Sequence, residues 1–446
     1  MKLQVILMII FGIVGIVAVL IFGGILPGFK QSGSVKGPTV VLWGTFPSQE
    51  MNRLLYDLNQ DQKYKSYFQI TYKQIDARNY RETILNALAS QSGPDIWITT
   101  QDLLLGDKSK ISRISLDSMT ERDFRNNFID GAEILLNYDV NPDTNNTTKN
   151  IIGLPLAIDP IILYWNKDIF SSAGISEPPK TWDDFLTSVQ SLTQKDAAQN
   201  IIVAGTALGK FNNVKNAKEI ISLMMMQGGD NIIRANDSGG LDVVFGEKIG
   251  KDNLVSPAES ALRFFTEFSN PNKVSYSWNG SLPSSEIMFS NNSLAMYFGY
   301  ASEAKEIIER NPHVNFDVSE IPQIKDAKIN ILTFGKIYSL VIAKNSSKKQ
   351  AAFYAINALT SPDFQRKFSQ NFNLGSSRRD VLSEKVQDPF LTVVYKSAIK
   401  SKAWLDPDPQ KTSEIFRSMI ESVTTGRTGI GTAIFTAQKQ LEELIR

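Results

Sequence analysis

The chain has 446 residues, enough for roughly two or three domains, and its hydrophobic content of 42% can fill sizeable cores. Its 47 Lys and Arg offset 46 Asp and Glu, and a net charge of +1 points to neither a nucleic-acid nor a strongly acidic partner. There is no cysteine and one histidine, His313, which excludes disulfides and thiolate metal sites and leaves little for a zinc centre or a Ser-His-Asp triad.

Val5 to Leu26 carries no polar side chain. As a helix it would extend about 33 Å, enough for a bilayer. The run exceeds the usual core of a cleaved signal peptide, and Phe22-Gly23-Gly24 is a poor cleavage site. Residues 1–28 are therefore expected to be an N-terminal transmembrane helix or uncleaved signal, with a long cleavable signal as the alternative. Lys2 favours a cytoplasmic amino end, which places the rest outside the cell membrane. Residues 29–37 read as a flexible linker.

Thr39 to Trp43 is predicted to be a strand. Gln49 to Asn59 follows with Met51, Leu54, Leu55 and Leu58 on one helical face. Strands at Phe68–Tyr72 and Ile96–Thr99 flank a helix over Asn79–Ser90. This alternation predicts a parallel α/β sheet. Ligands of such sheets bind beyond the carboxyl ends of the strands. Trp43, Phe46 and Trp97 stand near such ends, with core packing as the other reading for both tryptophans.

Ile151 to Leu186 is the most informative stretch. Ile161 to Trp165 reads as a buried strand, and Ile169 to Ala173 as a helical turn stopped by Gly174. Pro178 and Pro179 hold a loop before Thr181, an N-cap candidate with Asp184 three residues on. Asp159 sits between apolar runs, where a buried carboxylate needs partners.

Asn216 to Gln227 is a predicted helix whose methionines belong in a core, and Pro257 to Phe268 is another. Tyr276 to Asn279 is an aromatic and polar loop. Ser293 to Phe298 is a strand ending at Gly299-Tyr300, and His313 falls in a loop. A strand over Tyr338–Ala343 and a helix over Lys349–Leu359 follow. Trp404 precedes Asp406-Pro407-Asp408-Pro409, whose spacing fits a plain turn better than a calcium loop. Gly426 to Gly431 follows no strand and is no phosphate loop.

Several of these segments carry a resemblance. YWNKDIFSSAGISEPPKTWDDF (Tyr164–Phe185), LASQSGPDIWI (Leu88–Ile98) and IMFSNNSLAMYFGY (Ile287–Tyr300) are similar to extracellular solute-binding proteins of the maltose-binding-like, sugar-type branch that serves ABC transporters. Ser361 to Gln365 and Gly375 to Arg379 match later turns of that family, although the family's proline before the arginines is missing here.

The resemblance implies an α/β, two-lobed, periplasmic-binding-protein-like fold of type II. Lobe one would comprise residues 38–158 plus 325–372, and lobe two 159–324 plus 373–446. It implies capture of a small solute, a sugar or oligosaccharide, by hinge closure, with delivery to a permease. It also implies a monomer with no catalytic activity, cofactor or metal. Aromatic rings suit the C–H faces of a sugar and polar groups suit its hydroxyls. The candidate ligand-binding residues are Trp43, Asp159, Trp278, Tyr300, Tyr338, Trp404 and Arg378. In the family the aromatic after the glycine at Gly299 commonly faces ligand. A peptide, a polyamine, an anion or an adhesive role with the same fold stay open. A glycan hydrolase would need a second carboxylate beside Asp159, and none is evident.

Overall fold

The computed structural model describes residues 36–140, 147–236, 240–249, 256–327 and 330–445. The expected membrane helix and nearly all of the linker lie outside these residues. Among the described residues no helix is long and apolar enough to cross a membrane.

The first strands pair as expected. Thr39–Gly44 lies parallel to both Gln69–Gln74 and Ile96–Thr100, and helices Ser48–Gln60 and Tyr80–Ala89 connect them. Met51, Leu54, Leu55 and Leu58 are all buried.

Two long strands organise the rest. The first, Leu154–Asn166, is buried along nearly its whole length, without the alternation of a half-exposed strand. The second, the return strand Thr333–Ile342, runs antiparallel to it, with Gly335 opposite Pro160 and Lys336 opposite Asp159. The return strand also pairs with Ile96–Thr100. On the far side of Leu154–Asn166 lies Leu294–Tyr300, antiparallel, with Tyr300 opposite Ile161. Leu294–Tyr300 then runs parallel to Ile201–Thr206. Both long strands proved longer than predicted. Gly335 sits within the return strand, where a β-carbon would come 2.4 Å from that of Ser401. A glycine is needed there for close approach rather than for a turn.

The side chains gather into two cores. One holds Val40 to Ile158 and resumes at Ile337. The other runs from Ile161 to Phe334 and takes in Trp404 to Leu441. The chain thus passes between cores at residues 158–161, midway along the first of these strands, and at 334–337, near the start of the second. The segment from residue 373, expected in lobe two, contributes Leu374, Val381, Leu382, Leu391, Tyr395 and Ala398 to the first core. Val394 of the same helix, Pro389–Ile399, belongs to the second core. The last passage therefore lies between Ala398 and Trp404. An amphipathic helix shows which face is apolar, but its sequence does not say which core that face meets.

Local signals read well. Thr181 caps helix Trp182–Leu192 by accepting from the Asp184 N–H. Asn166 caps Lys167–Ser172, and Gly174 takes the left-handed conformation, φ +72°, that ends it.

Candidate functional site

Where the two long strands change cores, residues from both lobes enclose a cavity. Gln101 and Asp102 follow the carboxyl end of Ile96–Thr100. Lys218, Glu219 and Ser222 come from the first turns of helix Ala217–Gln227. Tyr300 ends its strand, Phe334 and Lys336 belong to the return strand, and Trp404 and Asp406 lie ahead of helix Pro409–Thr424. The cavity measures about 30 Å³. Small-molecule sites span roughly 300–1,000 Å³, so these lobes enclose room for about one water.

Buried polar groups fix the walls. Gln101 Oε1 accepts the Ile337 N–H at 2.8 Å, tying the first lobe to the crossing strand. Lys218 Nζ lies 2.8 Å from Asp406 Oδ2, and Thr412 Oγ1 donates to the same carboxylate. That pair anchors the loop bearing Trp404, whose indole N–H reaches Ser222 Oγ at 3.3 Å and whose ring stacks on Phe416. Burial pushes the Asp406 carboxyl up, against the pull of Lys218.

Asp159 is wholly buried beside this wall. Its Oδ1 accepts the Ser302 N–H at 3.0 Å, and its Oδ2 has no hydrogen-bond partner among the described residues. Burial pushes its pKa up to about 6, although Lys336 and the Ser302 N–H favour the charge. The Lys336 ammonium sits 4.2 Å from the centre of the Tyr300 ring. Burial would lower its pKa, but Tyr338, Asp159, Asp102 and Glu219 outweigh it and hold the ammonium above the ordinary lysine value. Burial also pushes the Tyr338 phenol up to about 12, with Lys336 opposing.

Four of the seven predicted residues meet here. Tyr300 and Trp404 line the cavity, and Asp159 and Tyr338 stand behind it around Lys336. Three do not. Trp43 packs in the first core with Lys73 over its ring at 4.4 Å. Trp278 is fully buried in the second core, its N–H spent on Asn213 Oδ1. Arg378 is held by Asp380, Asn127 and the Thr360 carbonyl on the first lobe. Sequence reasoning missed Gln101, Asp102, Lys218, Glu219, Ser222, Phe334, Lys336 and Asp406. One signal was available: Gln101 and Asp102 directly follow a parallel strand's carboxyl end, the position where such sheets bind ligands.

A larger concavity of about 560 Å³ lies on the first lobe between helices Ser48–Gln60 and Pro362–Phe372. Its charges pair with one another, Lys367 with Asp57 and Arg366 with Asp363, as on an ordinary solvated face.

A profile of bacterial extracellular solute-binding proteins matches residues 57–392. The chain belongs to that family. This bears out the resemblance read from Tyr164–Phe185 and its neighbours, and it makes the chain a binding protein rather than an enzyme, working outside the cytoplasm. A binding protein of Brucella abortus (strain 2308) is 24% identical over 221 residues, 49% of each chain, and a binding protein of Brucella suis biovar 1 (strain 1330) matches equally. The chain thus spans about half the length of these curated relatives.

Solved structures show the same two-lobed fold. The cyclic alpha-maltosyl-1,6-maltose binding protein of Arthrobacter globiformis superposes with a TM-score of 0.70 at 14% identity, covering 92% of this chain and 99% of that one. The sugar-binding protein MalE of Xanthomonas citri gives 0.66 at 18%, covering 91% and 97%. An ABC transporter solute-binding protein of Thermotoga lettingae, bound with alpha-D-tagatose, gives 0.61 at 19%, covering 92% and 100%.

Proposed function

We propose that this solute-binding protein captures a saccharide between its lobes and passes it to the permease of an ABC transporter, working as a monomer held at the membrane by Val5–Leu26. One observation carries the reading: two aromatic rings, Tyr300 and Trp404, and the carboxylates Asp102 and Glu219 converge on one cavity where the chain crosses between lobes. Rings cover the C–H faces of a sugar, and carboxylates accept its hydroxyls. The sugar ligands named for the similar structures support the same class of solute.

In this proposal the lobes comprise residues 38–158 with 335–398, and 159–334 with 399–446. The roughly 30 Å³ cavity must open before a sugar ring enters. Opening is a rotation about the strand pairs at 158–161 and 334–337. A ligand that contacts both walls binds the closed form better and shifts the balance toward it.

A thermal-shift panel on the purified full-length protein tests this. Saccharides, peptides, polyamines and small anions are each added in excess, because a ligand that binds only the folded state raises its stability. Stabilisation by saccharides is the expected result. Stabilisation by peptides or anions alone would remove the saccharide assignment.

A further inference from the structure

The charges around the interlobe cavity do not balance. Asp102, Glu219 and Asp406 line it with Lys218 and Lys336, and Asp159 stands directly opposite Lys336 in the strand pair. Four carboxylates therefore meet two ammonium groups. Lys218 is already committed to Asp406 at 2.8 Å and to Thr412. Asp102, Asp159 and Glu219 are left to share Lys336, whose head lies over the Tyr300 ring. Glu303 also acts on Asp159, but it is occupied by Lys215 at 3.4 Å, by Asn216 and by the Tyr297 hydroxyl.

Two carboxylate oxygens here are shielded from solvent without a hydrogen-bond donor among the described residues: Asp159 Oδ2, on a wholly buried residue, and Asp102 Oδ1. A buried acceptor without a donor is costly and is rare in a finished fold. A ligand that brings positive donors would satisfy the Asp102 oxygen, which lines the cavity, and offset the excess charge to which Asp159 adds from behind. Bare metal does not suit the site: among the described residues no cluster of three or more His, Cys, Asp or Glu is placed to hold an ion. The cation that fits is spread over a larger molecule. Tyr300 already shows the seat, since an ammonium rests on its face, an arrangement favourable in a desolvated setting.

We propose that the saccharide bound here carries a protonated amine, an amino sugar of the glucosamine type, whose ammonium is received by Asp102 and Glu219 beside the Tyr300 ring, with Asp159 adding its charge from behind the wall. This rests on the saccharide reading above. An amino sugar keeps the C–H faces that Tyr300 and Trp404 can cover, and its ammonium adds three donors.

Titration calorimetry on the full-length protein tests the proposal with glucosamine oligosaccharides, N-acetylglucosamine oligosaccharides of equal length, maltotetraose and spermidine. The work is done at about pH 7, where an amine of ordinary basicity is largely protonated. The amine-bearing oligomer should bind at least about ten-fold more tightly than its acetylated partner. That preference should shrink as salt rises from about 0.01 M to about 0.15 M and the screening length falls from roughly 30 to 8 Å. Asp102→Asn and Glu219→Gln should each lower the ratio of the two affinities, and either variant suffices if the other fails to fold. Equal or tighter binding of the acetylated or neutral oligomers would overturn the amine assignment and leave the saccharide reading standing. Binding of spermidine with no saccharide would overturn both.

Discussion

The ammonium of Lys336 lies 4.2 Å from the centre of the Tyr300 ring, so the return strand and the end of strand Leu294–Tyr300 meet face to face at the cavity. The Tyr300 carbonyl is fixed separately, by the Tyr164 hydroxyl at 2.7 Å. Ring and backbone therefore have different tasks. The backbone holds the turn, and the ring offers a flat apolar face to whatever enters.

Tyr300→Leu keeps apolar bulk and the carbonyl contact but removes the aromatic face. Saccharide affinity should fall about ten-fold, in line with the roughly 0.5–2 kcal/mol worth of ring contacts. Tyr300→Phe should bind nearly as the parent does. Calorimetric titration with the best saccharide of the panel measures both. Equal affinities for all three proteins would make Tyr300 a wall rather than a contact.

The ion pair of Lys218 and Asp406 holds the Trp404 loop, with side chains only 10% and 2% exposed. Asp406→Asn leaves a buried ammonium without its counterion, and the expected loss of stability is about 3–5 kcal/mol. The double change Lys218→Met with Asp406→Leu removes both charges and should be clearly less destabilising than the sum of the single changes. Urea denaturation of the parent, the single variants Lys218→Met and Asp406→Leu, and the double variant gives the coupling energy. Strict additivity would show that the pair contributes nothing.

What the sequence revealed follows from what is local. Caps, helix faces and the early parallel strands depend on neighbours a few residues apart, and Thr181, Gly174 and the Met51–Leu58 stripe announced themselves. Asp159 was legible because a carboxylate between apolar runs is conspicuous at once. Lys336 and Lys218 were not, because each gains its meaning from residues far along the chain: Lys336 from Tyr300 and Asp159, Lys218 from Asp406. Aromatic residues misled for the mirror reason. Trp43, Trp278 and Trp404 look alike in sequence, since burial in a core and exposure to a cleft both favour a large ring. Only the tertiary packing separates them.

Trp278 makes that distinction measurable. It is 0% exposed, and its indole N–H donates to Asn213. Trp278→Ala should cost about 3–5 kcal/mol of stability through the cavity it leaves. Trp278→Phe, which fills most of the volume, should cost less and leave saccharide affinity within about two-fold of the parent, well under the 1.4 kcal/mol of a ten-fold change. A large loss of affinity in a stably folded Trp278→Phe protein would return Trp278 to the binding site.

Asp159 gives the fold a dependence on pH whose sign is fixed by its pKa. The folded value, about 6, lies above the ordinary 3.8, so the folded protein holds this proton more tightly than the unfolded chain. Its contribution to stability is complete below the unfolded pKa and is lost as pH rises through about 6. Asp159→Asn keeps a neutral acceptor for the Ser302 N–H and never ionises. The variant should therefore gain on the parent by about 2 kcal/mol between roughly pH 4 and pH 7.5, as expected for a shift of about two pKa units in a buried group. Asp230, also raised to about 6 by burial, is common to both proteins and cancels in the comparison. Urea titrations at the two pH values measure the difference, and a gap that does not change with pH would show that Asp159 is already neutral, or already fully charged, across the whole range.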